Sequence, residues 1–170
     1  MEIEDVIRNK DDREFVIKAV QENGKFLEFV SPVFQNDREI VNLALDQDAE
    51  SLEFASDKLK EDKEIILKGV KGAPWTICYA SEKLRSDKEI ILTSCERYGQ
   101  ALYYASEELR DDREVVKTAV HNKGIIIKYA SDRLRADKEL AEIAVKQNKQ
   151  AYHFISLALK QDEDIKKLME

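Results

Sequence analysis

Asp87-Lys88-Glu89-Ile90-Ile91-Leu92, followed by Ala101-Leu102-Tyr103-Tyr104-Ala105-Ser106-Glu107-Glu108-Leu109-Arg110, decides how this chain folds, because both segments recur. Asp stands at 12, 37, 62, 87, 112, 137 and 162, a fixed step of 25 residues. A basic residue follows it at Arg13, Arg38, Lys63, Lys88, Arg113 and Lys138, and then Glu14, Glu39, Glu64, Glu89, Glu114 and Glu139. Ser31, Ser56, Ser81, Ser106, Ser131 and Ser156 keep the same step. Self-similarity at a period of roughly 20–50 residues is the mark of a repeat architecture.

Each repeat can be read physically. The anchor Asp is a strong N-cap, its short carboxylate placed to accept from the first free N–H groups of a helix. The Glu two places on suits the positive end of the helix dipole. Apolar residues then fall three, four, seven and eight past the anchor, as in Val115, Val116, Ala119 and Val120, which is a helical stripe. Gly24, Gly99 and Gly124 stand twelve past the anchor, where a left-handed glycine would end a first helix of nine to eleven residues. A second helix of six or seven residues follows, with an aromatic in every repeat at Phe29, Phe54, Tyr79, Tyr104, Tyr129 and Phe154. Ser31-Pro32 argues that the recurrent Ser caps a separate short turn, since Pro is tolerated at a helix start and breaks an interior. That turn is expected to end at Leu59, Leu84, Leu109, Leu134 or Leu159.

Helices this short are marginal alone, so neighbouring repeats must bury one another's apolar faces. The expected fold is all-α: an α-solenoid of six 25-residue helix-hairpin repeats plus a terminal capping helix, one elongated domain over 1–170. Residues 1–10 form the N-terminal cap, repeats start at 12, 37, 62, 87, 112 and 137, and 162–170 close the stack. At about 8–10 Å between packed helices, such a rod would be roughly 50–60 Å long. Lys166 stands where earlier repeats have Val, Ile or Ala, which suits an outer face.

Composition narrows the function. The 170 residues carry 28 Lys+Arg against 35 Asp+Glu, a net charge of −7, which disfavours nucleic acid and anionic lipid as partners. No uncharged apolar stretch reaches membrane-spanning length. Met1-Glu2-Ile3-Glu4-Asp5 is acidic where a secretory signal would be basic and then apolar. Two cysteines, Cys78 and Cys95, do not make a disulfide framework, and a cytoplasmic location is expected.

The segments quoted at the start resemble the tandem repeats of domain-of-unknown-function family 4116, over roughly residues 11–165. The resemblance implies a helical repeat and brings no catalytic motif. Departures are Val30 and Ile155 in place of the recurrent Ala, and Pro74 and Lys149 in place of Gly.

Chemistry-bearing constellations are few. Cys95 and His121 could face each other on adjacent first helices as a nucleophile pair, but Cys95 occupies the place of Val20, Leu45, Val70, Val120 and Val145, where a small buried hydrophobe is expected. Asp46-x-Asp48-x-Glu50 hints at calcium, yet Ser51 stands where the loop needs Gly and Asp57 where it needs Glu, so an acidic loop is the reading. The Asp-basic-Glu series is read as capping and ion pairing between neighbours. No catalytic residue, metal or cofactor is expected.

In a repeat stack, positions that vary are open to recognise something. Sixteen past the anchor run Glu28, Glu53, Cys78, Tyr103, Lys128 and His153; thirteen past it run Lys25, Glu50, Trp75, Gln100, Ile125 and Gln150. Trp75, Cys78, Tyr103, Ile125, Lys128 and His153 are therefore the candidate partner-binding residues, on the outward face of the second helix. The alternative for Trp75 is that it folds back to fill a gap left by Gly69 and Gly72. The acidic row Asp57, Glu82, Glu107 and Asp132 is read as a solvated rim. The expected function is a monomeric, non-enzymatic scaffold for another protein or peptide; the alternatives are a self-associating structural module, or a groove-based ligand binder or enzyme using His153, Lys128 and Tyr103.

Overall fold

A computed structural model describes all 170 residues, and every regular element in it is helical, with no strand. The first helices are Arg13–Glu22, Arg38–Gln47, Lys63–Gly72, Lys88–Cys95, Arg113–Asn122 and Lys138–Gln147, with Glu163–Met169 closing the series. The anchor Asp caps each of them. Asp112 Oδ1 accepts from the N–H groups of Glu114 and Val115 at 2.9 and 3.2 Å, and Asp37, Asp62, Asp87 and Asp162 do the same one or more turns of the pattern away. Asp12 and Asp137 each accept from one amide.

The second segment has six residues in four repeats, as expected, and five in two, and its geometry is different. Gly24–Phe29, Ala49–Phe54, Pro74–Tyr79, Gly99–Tyr103, Gly124–Tyr129 and Lys149–His153 are 3₁₀ helices. Three residues per turn line up side chains three apart. Within each segment the residues thirteen and sixteen past the anchor therefore share one outward edge, while in Gly124–Tyr129 Ile126 and Ile127 are buried.

The glycines have a different role from the one expected. None adopts positive φ, and the residue before Gly24 or Gly124 ends its helix in extended backbone, Asn23 at φ −149° and Lys123 at φ −151°. Gly is required there by close approach: a Cβ on Gly124 would run into the carbonyl oxygen of Ala144, one repeat on. The short third turn also differs in extent. It is one α turn at Pro32–Gln35, Glu107–Arg110 and Asp132–Arg135, whereas the 3₁₀ turns Leu59–Glu61, Leu84–Ser86 and Leu159–Gln161 begin at the leucine expected to end them. Ser56, Ser106, Ser131 and Ser156 do cap this turn, accepting from the leucine N–H, but Ser31 makes no such bond.

The recurrent Ser has a second use. Its N–H donates to a carbonyl of the preceding repeat: Ser31 to Lys10, Ser56 to Gln35 and Ser81 to Lys60, then Ser106 to Arg85, Ser131 to Arg110 and Ser156 to Arg135. The basic residue after five of the anchors reaches the other way. Lys88 Nζ lies 2.7 Å from Asp112 and 2.8 Å from Glu114, and Lys138 pairs with Asp162 and Asp164 at 2.9 and 2.7 Å. Arg13, Arg38 and Arg113 make the same forked contact with the Asp and Glu of the next repeat. These pairs are exposed and worth little each; what they add is register, since only a 25-residue step puts both carboxylates within reach.

The chain divides into two compact parts, an N-terminal half Met1–Leu84 and a C-terminal half Arg85–Glu170. In the first, Val16, Val41, Ile66, Leu27, Leu52 and Ile77 are sealed from solvent; in the second, Ile91, Val116, Ala141, Leu102 and Ile127 hold the same positions. Lys166, which stands in the last helix where earlier repeats have Val, Ile or Ala, is half-buried and pairs with Glu163.

Burial works to raise the Asp112 carboxyl, but the Lys88 ammonium and the Val115 N–H more than offset it and hold it below its ordinary value. Asp62 and Asp137 are lowered likewise, burial being outweighed by helix N–H groups and the arginine before them. A carboxyl lowered in the folded state stabilises the fold above its unfolded pKa of about 4, and that contribution is lost as pH falls through the folded value. Asp112→Ala is expected to cost about 1 kcal/mol at pH 7 and to shrink the acid loss of stability below about pH 4, read by urea denaturation across pH.

Candidate functional site

In the N-terminal half, the 3₁₀ helix Pro74–Tyr79 presents Trp75 outward, 45% exposed. Its indole Nε1 donates to Glu50 Oε1 at 3.1 Å, and Glu50 Oε2 accepts from Lys25 Nζ at 2.8 Å. Lys25, Glu50 and Trp75 are thus joined along one row, and the Lys25 ammonium holds the Glu50 carboxyl below its usual value. Trp75 does not fill the space at Gly69 and Gly72. Leu52 and Thr76 close on Gly69, and Ala49 closes on Gly72, so that a Cβ there would stand 2.6 Å from Leu52 Cδ2 or 2.5 Å from Ala49 Cβ. Trp75 instead borders an open cleft of about 380 Å³ with Asp46, Asp48, Glu50 and Ala73. Cys78 is half-buried on the same 3₁₀ helix.

The acidic loop beside that cleft gathers no cation site. Asp46 pairs with Lys68 at 2.7 Å, Asp48 Oδ1 accepts from the Glu50 N–H at 2.9 Å, and Glu50 is held by Lys25 and Trp75.

In the C-terminal half, the corresponding rows carry aromatic rings. Tyr103 is 54% exposed, its centroid 5.1 Å from Tyr104 edge-on and 5.1 Å from Tyr129 in the next repeat. Lys128 Nζ stands 4.7 Å over the Tyr129 ring and 6.0 Å from that of Phe154, a cation–π arrangement across two repeats. Tyr103 and Lys128 are therefore brought together through Tyr129. Ile125 lies half-buried on this edge, and His153 is exposed beside Tyr152, ring centroids 6.4 Å apart. The aromatic seventeen past the anchor is half-buried and forms the platform on which the outward row rests.

The sequence reading missed a second feature, a cavity of about 330 Å³ bordered by Asp132, Arg135, His153, Phe154, Leu157 and Lys160. One signal was present: Leu157 breaks the acidic row of Asp57, Glu82, Glu107 and Asp132. It is 80% exposed, a large apolar side chain in open water.

Cys95 is sealed in the core and burial pushes its thiol up to about 12, whereas His121 is exposed. A thiolate is the nucleophile, so a thiol this hard to ionise is inert. Iodoacetamide at pH 8 is expected to label Cys78 at least about tenfold faster than Cys95 in the folded chain, by mass spectrometry of timed samples; equal rates would show Cys95 to be reachable.

Fold and surface together define an all-helical tandem-repeat protein with two outward rows that vary from repeat to repeat. The family model described as Domain of unknown function (DUF4116) matches residues 12–60, 62–110 and 112–165, and the chain belongs to that family. Each match begins on an anchor Asp and covers about two of the 25-residue steps. No curated protein matches the chain, and no solved structure does.

Proposed function

We propose that this protein is a non-enzymatic scaffold, an α-solenoid of six 25-residue repeats over 1–170 with terminal caps, that binds a segment of another protein along its 3₁₀ edge. The observation that supports it most directly is the exposed Tyr103 ring seated on Tyr129 beside the Lys128 ammonium. Rigid aromatic side chains next to a cation are what interface hot spots are made of. The row that carries Tyr103 and Lys128 varies between repeats while the aromatic row beneath it, Tyr129 included, does not, as expected of a surface used for recognition rather than folding. The protein acts as a monomer in the cytoplasm, and nucleic acid and membrane are not its partners.

The test is affinity capture from the native cell with the wild-type chain and a Tyr103→Ala, Lys128→Ala variant of matched thermal stability. Binding of the captured proteins should fall at least about tenfold, since truncating a hot spot costs about 2 kcal/mol or more. Retention of every captured protein by the variant overturns the reading. Light scattering on the same samples separates self-association, which would give a mass rising with concentration.

A further inference from the structure

The cavity beside Leu157 has a chemistry of its own. Arg135 Nη2 pairs with Asp132 within the same turn, yet Arg135 Nε is buried with no hydrogen-bond partner. One repeat earlier the equivalent donor is satisfied, Arg110 Nε donating to the Ala105 carbonyl at 2.9 Å. A buried donor left unpaired is destabilising, and native structures seldom keep one without a use for it. Around it stand His153 and Lys160, with Asp132 the single carboxylate on the rim. Lys160 Nζ donates to the His153 carbonyl at 2.9 Å, which fixes the ammonium beside the cavity. At the lip, Leu157 offers an uncovered apolar surface, and the Phe154 ring connects the cavity to Lys128.

We infer that this cavity receives a carboxylate side chain, with an apolar residue next to it, from the partner segment that the 3₁₀ edge binds; the inference rests on the scaffold reading and names the partner's chemistry. Charge complementarity selects the occupant. The carboxylate pairs with the Arg135 and Lys160 cations that border the cavity, while its apolar neighbour covers Leu157. Single-stranded nucleic acid, which would also use rings and cations, needs a continuous basic track to match its phosphates. A chain of net charge −7 does not provide one.

The experiment is selection of a random twelve-residue peptide display library on the immobilised full chain, with Arg135→Gln and Leu157→Ser as variants. Enriched peptides should carry Asp or Glu beside Leu, Ile or Phe, and Arg135→Gln should weaken them about tenfold, the loss of a charge-assisted bond. Leu157→Ser should weaken them less, and wild-type affinity should fall when the acid is replaced by its amide. Enrichment of peptides without an acid, equal binding by Arg135→Gln, absence of any enriched peptide, or binding of a single-stranded oligouridine in place of peptides would each overturn the inference. If Arg135→Gln leaves cellular capture intact while Tyr103→Ala, Lys128→Ala abolishes it, the scaffold stands and the cavity falls; if both variants capture normally, the scaffold itself is wrong. Arg135 lies at the surface of its turn, and matched circular dichroism and melting temperature exclude misfolding as the cause.

Discussion

Gly124→Ala is expected to lower the unfolding free energy by about 2–3 kcal/mol, the range of an overpacked core site. In isolation the substitution should stabilise by roughly 0.4–1 kcal/mol, because Ala restricts the unfolded chain and φ at this position is not positive. Packing reverses the sign. The new Cβ would meet the Ala144 carbonyl and come within 2.9 Å of Gln147 Oε1. That carbonyl belongs to the helix Lys138–Gln147, so relief requires moving a helix rather than swinging a side chain. The contact is also polar: the Gly124 N–H donates to Gln147 Oε1 at 2.7 Å, and Gln147 Nε2 donates to the Asn122 carbonyl at 3.2 Å, so displacing Gln147 opens two bonds. Gly99 is placed the same way, its Cβ position 2.6 Å from the Ala119 carbonyl and its N–H donating to Asn122 Oδ1 at 2.8 Å. One repeat after Gly24, which is placed like Gly124, the exchange runs in the other direction, with Ala49 at the glycine's place and Gly72 opposite it. One member of each facing pair is small, and Gly72→Ala should therefore be harmful too. Urea denaturation at pH 7 decides; a variant more stable than wild type would show that the two repeats do not approach this closely.

That exchange explains how much the sequence could reveal. The 25-residue step, the Asp cap and the buried Ile/Val stripe were legible because each is a local demand repeated in register, and one caps or stripes a helix with few residue types. The 3₁₀ geometry was not, because six residues such as Gly124–Tyr129 satisfy a period of 3.0 as readily as 3.6. Gly124 was assigned the wrong reason because left-handed backbone and close approach ask for the same residue, and only the position of Ala144 separates them. The candidate site divides similarly. The outward placement of Trp75, Tyr103, Lys128 and His153 followed from their varying identities at fixed spacing. Tyr129 and Phe154 as supports for Lys128, and the unpaired Nε of Arg135, depend on side-chain direction across repeats, which spacing does not specify.

Ile91→Ala should cost about 3–4 kcal/mol, within the range of large-to-small core truncations, against about 1 kcal/mol for Ile91→Val. Ile91 is 0% exposed in an eight-residue helix, Lys88–Cys95, which is too short to persist without its packing. That helix lies against Gly99–Tyr103 and Arg113–Asn122, so a cavity left at Ile91 is shared by two repeats. Thr93→Ala on the same helix removes only a bond from the hydroxyl to the Glu89 carbonyl at 2.8 Å and should stay within about 0.5 kcal/mol. The pattern of the loss carries as much information as its size. Where stability is a sum of repeat and nearest-neighbour terms, damage spreads to the adjoining repeat before the rest. Amide hydrogen exchange in Ile91→Ala should therefore quicken first in Lys88–Cys95 and Arg113–Asn122, and least in Glu163–Met169. Uniform quickening across Arg85–Glu170 would instead mean that this half opens as one cooperative block, and the stepwise account of its stability would have to be given up.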